Sequence, residues 1–292
     1  MTLPKLEIVV SSCDAYSDCW MPFFTLLNKF WPDCPYPITL ISESKRYVNS
    51  SALRVETCTA SEFLGTKSRY WGARLIECLK RKECDTILYL QEDFFLKDQV
   101  DDMLIAEFAT FVSQMSWTHQ ESLHIGLSPM SSHGPFHLTE HPLLWEVGNR
   151  ARYRFSLLPG IWRRSDLLYY LRPNETAWDF EECSHFRGSR SRRRVLTVNR
   201  HVFRLDGRQV YPFDPSGIMR GKWVRKNVVD LFNQNKIEVD FGRRGFMEDS
   251  SHLLNDNDNL YLQIKSRLKA KLRLPLRRVH DWINYPIDRL RY

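Results

Sequence analysis

Residues 85–96, DTILYLQEDFFL, place two carboxylates, Glu92 and Asp93, directly after an unbroken apolar run. The segment Thr86–Leu90 is short and rich in β-formers, as befits a strand buried on both faces of a parallel sheet. Ligands of open α/β sheets bind at the carboxyl ends of the strands. A carboxylate pair at that position suits a divalent cation, which takes hard oxygen ligands and can bridge to phosphates. The chemistry implied is that of an enzyme acting on a nucleotide or a nucleotide sugar. Polar turns also put acids after strands, so the rest of the chain must support the reading.

The elements needed to position that pair are legible in the flanking sequence. Leu6–Val10 reads as a first strand, followed by the polar loop Ser11-Ser12-Cys13-Asp14-Ala15-Tyr16. Trp20–Phe30 carries apolar residues at helical spacing, with Pro22 tolerable in a first turn. Tyr36–Ile41 and Leu53–Thr57 read as strands, and Tyr70–Arg81 as a helix with Leu75, Ile76 and Leu79 on one face. Val100–Trp117 reads as a helix and Ser122–Leu127 as a strand, whereas 128–152 breaks into Pro, Gly, His and aromatic residues, as in a long active-site loop or irregular hairpins. Arg154–Leu158 is expected to be a strand, Arg164–Leu171 and Glu175–Arg187 helices, and Val195–Leu205 a strand or two. This alternation predicts an α/β fold with a mostly parallel central sheet and helices on its faces.

Composition narrows the class. The 292 residues are 43% hydrophobic and 26% charged, enough for a full core. No apolar stretch reaches the roughly 20 residues that span a bilayer. Near the start, only Ile8-Val9-Val10 runs apolar without a break, too short for a signal peptide, so a cytoplasmic location is expected. The seven cysteines are odd in number and contain no CxxC pair, which predicts reduced thiols and no zinc site. His133, His137 and His141 are spaced like a ligand ladder, but Gly134, Pro135 and Pro142 rule out one continuous helix.

These features come in an order that resembles a GT-A glycosyltransferase, in particular the bacterial sugar transferases of polysaccharide and lipopolysaccharide assembly. The resemblance spans about residues 6 to 246. It rests on the Ser/Asp/Tyr loop, the strand ending in Glu43, the helix with Trp71 and Arg74, Glu92-Asp93, Pro159-Gly160 and Trp178-Asp179-Phe180-Glu181. The fragments LYLQEDFFL, LLPGIWRR, LRPNETAWDFE and YPFDPSGIMRGKW carry it further. It implies a single GT-A-like, Rossmann-like domain over residues 1–250.

By the same resemblance, Ser11, Asp14, Tyr16 and Glu43 lie near a nucleotide, with Tyr16 stacking on the base and Asp14 accepting from an imide or a ribose hydroxyl. Arg74 would face the phosphates with its planar fork. Glu92 and Asp93 occupy the place of the family's DxD motif, so Asp93 would hold Mn²⁺ or Mg²⁺. Gly160 and Trp162 would line the donor sugar. Asp179 or Glu181 would supply the general base that takes a proton from the acceptor hydroxyl. The two point to different sides of one helix, and acids also favour helix N-termini for dipole reasons alone. Arg187, Arg190, Arg193 and Lys222 are the cations for a diphosphate or an anionic acceptor, with Arg243 and Arg244 as further diphosphate candidates.

The net charge of +7 resides in the last stretch of the chain. From Tyr261 to Tyr292 nine Lys and Arg face only Asp281 and Asp288, so the remainder is neutral. Residues 251–292 therefore read as a basic amphipathic helical extension, suited to an anionic membrane surface. Nucleic acid would attract the same charge, but no recognition motif accompanies it. The expected protein is a transferase, peripheral on the inner face of the membrane. It would move a sugar from a nucleotide-sugar donor to a glycan or lipid-linked acceptor, with inversion and metal-assisted departure of the diphosphate. The alternative is a non-enzymatic membrane- or nucleic-acid-binding protein with a basic tail.

Overall fold

The computed structural model describes residues 4–48, 51–114, 122–189, 193–214 and 216–247. The basic tail lies outside the described residues, as do Arg190 and Arg192. One nine-stranded sheet organises the chain. Its strands are β1 (Glu7–Ser11), β2 (Ile38–Ser42), β3 (Val55–Thr59), β4 (Thr86–Gln91), β5 (Ser122–Gly126), β6 (Phe136–Leu138), β7 (Leu144–Val147), β8 (Gly160–Arg163) and β9 (Arg194–Val198). They run in the order β3-β2-β1-β4-β8-β5-β9-β7-β6.

The block formed by β3, β2, β1 and β4 is parallel throughout. Only β8 and β7 run against the other strands, β8 by inserting antiparallel between β4 and β5. The expected α/β class with a mostly parallel sheet is therefore what the chain forms.

Alternation along the buried strands feeds two cores, one on each face of the sheet. Ile8, Val10, Leu88 and Leu90 pack with α1 (Trp20–Phe30), through Phe23, Phe24 and Leu27. Val9, Ile87 and Tyr89 pack on the opposite face with Leu75 and Leu79. On the way to that second face come a short α2 (Ser61–Leu64) and α3 (Trp71–Lys80), which carries those two leucines. After β4, α4 (Asp102–Gln114) returns to the first face, and Ile105 and Phe108 fill it. The second face is completed by α5 (Arg164–Tyr170) and α6 (Ala177–Gly188), with Phe180 fully buried. A hairpin of β10 (Ile218–Met219) and β11 (Lys222–Trp223) then leads into α7 (Arg225–Gln234). Among the described residues no helix is long and apolar enough to cross a membrane.

Two sequence expectations are corrected. Arg154–Leu158 is not a strand; the strand is Gly160–Arg163. Pro159 offers no ladder N–H, and the Leu157 amide is taken by the Glu181 carboxylate at 2.7 Å. The strand expected over Val195–Leu205 stops at Val198, because the Asn199 carbonyl and side chain capture the amides of Phe203 and His201, both at 2.9 Å. Within 128–152, of the two forms expected there, the chain takes the hairpin: β6 and β7 pair and close the far edge of the sheet.

Candidate functional site

The carboxyl ends of β1, β2 and β4 form one rim, and the polar loop after β1 is folded onto it by its own side chains. Asp14 accepts from the amides of Glu43, Ser44 and Lys45 at 3.1–3.2 Å and from the Ser44 hydroxyl. In return the Glu43 carboxylate accepts from the Asp14 amide and, at 2.7 Å, from Arg74. Arg74 is itself buried and donates to the Ser68 carbonyl at 2.7 Å. Burial alone would raise the Asp14 carboxyl, but the Ser44 hydroxyl and the backbone amides outweigh it and hold it below its ordinary value. Ser11 is also committed, since its hydroxyl accepts from Trp71 Nε1 at 3.0 Å in a buried setting.

Sequence reasoning placed these four residues near a nucleotide; the structure uses Ser11, Asp14, Glu43 and Arg74 to build the rim. Asp14, Glu43 and Arg74 are bonded one to the next, and Ser11 accepts from Trp71. Arg74 in particular is not a phosphate fork facing solvent.

Beside this scaffold sit Glu92 and Asp93. Glu92 is buried, and burial followed by the Asp93 charge raises its carboxyl well above the usual range. Burial likewise pushes Asp93 up to about 6, against its bond from the Ile218 amide. That amide belongs to the β10–β11 hairpin, which docks on the acidic turn through Gly217 N to Asp93 O at 3.0 Å. A Cβ on Gly217 would come within 2.2 Å of the Phe95 ring, so only glycine permits this approach.

Tyr16 faces the pair. Its phenol is raised to about 12 by burial and then by Glu92 and Asp93. The Arg244 guanidinium lies 4.4 Å from the Tyr16 ring centroid and is held by Asp18, with Nε to Oδ2 at 2.6 Å. A cation from far along the chain thus stands next to two crowded carboxylates. No pattern in the sequence singles Arg244 out from its neighbour Arg243; only the pairing with Asp18, 226 residues away, does so.

The second acidic segment approaches the same rim. The N-terminus of α3 receives the loop before α6, through Gly72 N to Glu175 O at 3.0 Å, and Trp71 packs on Phe180. Asp179 forms a capping box: its carboxylate accepts from Thr176 N and its amide donates to Thr176 Oγ1, both at 3.1 Å. Glu181 turns inward and accepts on Oε1 from the Leu157 amide at 2.7 Å and the Ser156 hydroxyl at 3.3 Å. Burial raises its carboxyl above the ordinary value.

Other expected ligands pack elsewhere. Trp162 is fully buried and stacks on His124 with centroids 3.9 Å apart. Gly160 lies in β8 with its missing Cβ position 2.4 Å from His124 Nε2, so it serves this stack and does not line a sugar pocket. Arg187 is locked in a two-bond pair with Glu175 at 2.7 and 2.9 Å, which removes it as an anion grip. Arg193 pairs with the buried Asp166. Lys222 is exposed on β11. The three histidines of the ladder are scattered: His141 binds Glu107 at 2.9 Å, His133 lies tilted against Tyr153, and His137 pairs in β6 with Glu146.

Among the described residues no three His, Cys, Asp or Glu side chains cluster to hold a metal ion. Glu92 and Asp93 can nevertheless accept a hard divalent cation together with a ligand's own oxygens, the usual arrangement for Mg²⁺ on a phosphate. Burial, joined for Glu92 by the Asp93 charge, makes both carboxylates more basic than usual, and a cation there would favour their ionised forms. A separate cavity of about 660 Å³, between residues 97–103 and 205–212, does not reach this pair. Asp98, Asp101, Asp102 and Asp206 line it together with Lys97 and Arg208.

No family model matches the chain and no curated protein matches it. Solved structures do. The chain is similar to glycosyltransferases of known structure. TarS 1–349 of S. aureus in complex with UDP-GlcNAc is 12% identical, with 82% of this chain and 69% of that chain covered and a TM-score of 0.42. TarS 1–349 alone is 14% identical over 67% of this chain and 60% of that one, TM-score 0.39. The galactosyltransferase LgtC, in complex with donor and acceptor sugar analogs, is 11% identical over 42% and 47%, TM-score 0.27. The chain thus spans about 60% of the first TarS fragment it matches. These are likenesses of backbone arrangement, at identities where no residue-by-residue correspondence follows.

Proposed function

We propose that this chain is a glycosyltransferase that moves a sugar from a nucleotide-sugar donor to a glycan or lipid-linked acceptor, with inversion. The observation that carries the reading is the Glu92–Asp93 pair: two mutually repelling carboxylates at the carboxyl end of β4, with Tyr16 and Arg244 beside them. A buried like-charge pair that lowers stability on its own is understandable where a cation and a phosphate complete it.

In this reading Asp93 and Glu92 hold Mn²⁺ or Mg²⁺, which when bound neutralises the diphosphate as it leaves. Tyr16 supplies a ring for the base, and Arg244, paired with both oxygens of Asp18, braces that ring. Glu181 takes the acceptor proton. Asp179 is the weaker candidate, because its carboxylate already caps α6. Glu181 has both of its bonds on Oε1, and burial makes its carboxylate more basic than usual, as suits a proton acceptor.

The test is a thermal-shift screen of nucleotides and nucleotide sugars with Mn²⁺, Mg²⁺ or EDTA. A ligand that binds only the native state must raise the melting midpoint. A metal-dependent shift with one nucleotide supports the reading; no shift with any of them overturns it.

A further inference from the structure

The charges that line the cavity between residues 97–103 and 205–212 do not cancel. Lys97 is neutralised by Asp214 at 2.7 Å, and Arg208 by Asp101 at 3.0 Å. Asp98, Asp102 and Asp206 remain, and among the described residues none of the three forms an ion pair. Beside them stand two large apolar side chains left to solvent, Met103 at 78% exposure and Leu205 at 41%. Free carboxylates set among exposed apolar groups call for an occupant that is both cationic and apolar.

The chain itself carries such a segment. Residues 260–274, LYLQIKSRLKAKLRL, hold Lys265, Arg267, Lys269, Lys271 and Arg273 and no acid, interleaved with Leu262, Ile264, Leu268 and Leu272. The last described residues bring the chain close to the cavity. Met247 N donates to Trp223 O at 2.9 Å, and the Trp223 ring stacks on Phe95 with centroids 6.2 Å apart. Two residues past Phe95 comes Lys97, which lines the cavity. Only residues 248–259 separate Met247 from the basic segment. Fully extended, they span roughly 40 Å.

We propose that residues 260–274 dock in this cavity of their own chain, with Lys and Arg side chains on Asp98, Asp102 and Asp206 and apolar ones over Met103 and Leu205. A single ion pair at a surface is weak. Several cations against three carboxylates, on a short tether to the same domain, act together at a high effective concentration. Such a contact weakens as salt rises. Glu92 and Asp93 take no part in it.

Zero-length cross-linking of the full-length chain is the test. A water-soluble carbodiimide condenses a carboxylate with an amine in contact with it, and the joined pair is one water lighter. Equal amounts of ¹⁵N-labelled and unlabelled chain are mixed first, and the digest is read by mass spectrometry. The expected products join Asp98, Asp102 or Asp206 to Lys265, Lys269 or Lys271 within one chain, and they fade at high salt. Links from these lysines only to other acids, or only between a labelled and an unlabelled chain, overturn the proposal. Hydrogen exchange gives a second reading on the full-length variant Lys265→Glu, Lys269→Glu, Lys271→Glu. Segments 97–103 and 205–212 are expected to exchange on the order of tenfold faster in it than in the wild type, the joint loss of three surface pairs. Unchanged exchange overturns the docking, and binding of the wild type but not the variant to phosphatidylglycerol vesicles would then assign the segment to a membrane.

Discussion

Asp14 and Glu43 hold each other's loops: the carboxylate of each accepts backbone amides from the segment that carries the other. The relationship turns two turns that follow different strands into one rigid edge. It also explains why both acids are partly buried.

Removing the Asp14 carboxylate leaves the amides of Glu43, Ser44 and Lys45 without their acceptor. Asp14→Ala is expected to lower stability by about 0.5–1.5 kcal/mol, the net worth of a typical intramolecular hydrogen bond. Asp14→Asn, which keeps one acceptor oxygen, is expected to lose less. Chemical denaturation of the two variants checks this. Equal losses would mean that the amides find water.

The acidic pair predicts a stability that depends on pH in a stated direction. Burial raises the Asp93 carboxyl from 3.8 to about 6, so the native state favours its protonated form. That preference supports the fold fully below about pH 3.8 and is lost as pH rises through 6. Without ligand, Asp93→Asn is therefore expected to melt higher than wild type above pH 6, by something on the order of 2 kcal/mol, and to converge with it near pH 4. The same variant is expected to lose any metal-dependent nucleotide shift, with affinity weaker by about tenfold or more. Thermal melts across pH, with and without nucleotide and Mn²⁺, read both effects.

His124 gives the opposite sign. It is fully buried on Trp162, and burial, followed by Arg154, holds its imidazole down to about 3 from 6.5. The unfolded chain then binds a proton near pH 6.5 that the native state refuses. Stability is complete above 6.5 and falls as pH drops from there toward 3. His124→Phe, which keeps the stack, is expected to gain on wild type steadily over that window. A constant difference across it would mean that His124 does not titrate.

How far the sequence could be read follows from the range of each interaction. Local periodicity sets β1, β2, β4, α1 and α3, so the carboxyl-end position of Glu92 and Asp93 was legible from the chain alone. Roles that depend on distant partners were not. Trp162 read as a sugar-lining residue because its burial depends on His124, 38 positions earlier, which arrives through β5. Arg187 read as a free cation because Glu175 lies on the loop before its own helix. The strand expected over Arg154–Leu158 gave way because a helix carboxylate took its amide. Gly217 and Arg244 carry no local signal, since each matters only against a residue more than a hundred positions away.

Glu181 and Asp179 can be separated by what each holds. Asp179 caps α6, so Asp179→Asn is expected to lower stability by about 1 kcal/mol and to change turnover only a few-fold. Glu181→Gln keeps an oxygen to accept from Leu157 N and loses only the ability to take a proton. Turnover is expected to fall by about 10²–10⁴-fold, the contribution of a positioned base, while the melting midpoint and the nucleotide shift stay unchanged. Release of free nucleotide, from the donor that gives the largest shift and against a panel of glycoside acceptors, measures the first effect. An unimpaired Glu181→Gln beside an inactive but stable Asp179→Asn would move the base one helical step, onto the cap. Loss of activity in neither would mean that the acceptor proton leaves without either carboxylate.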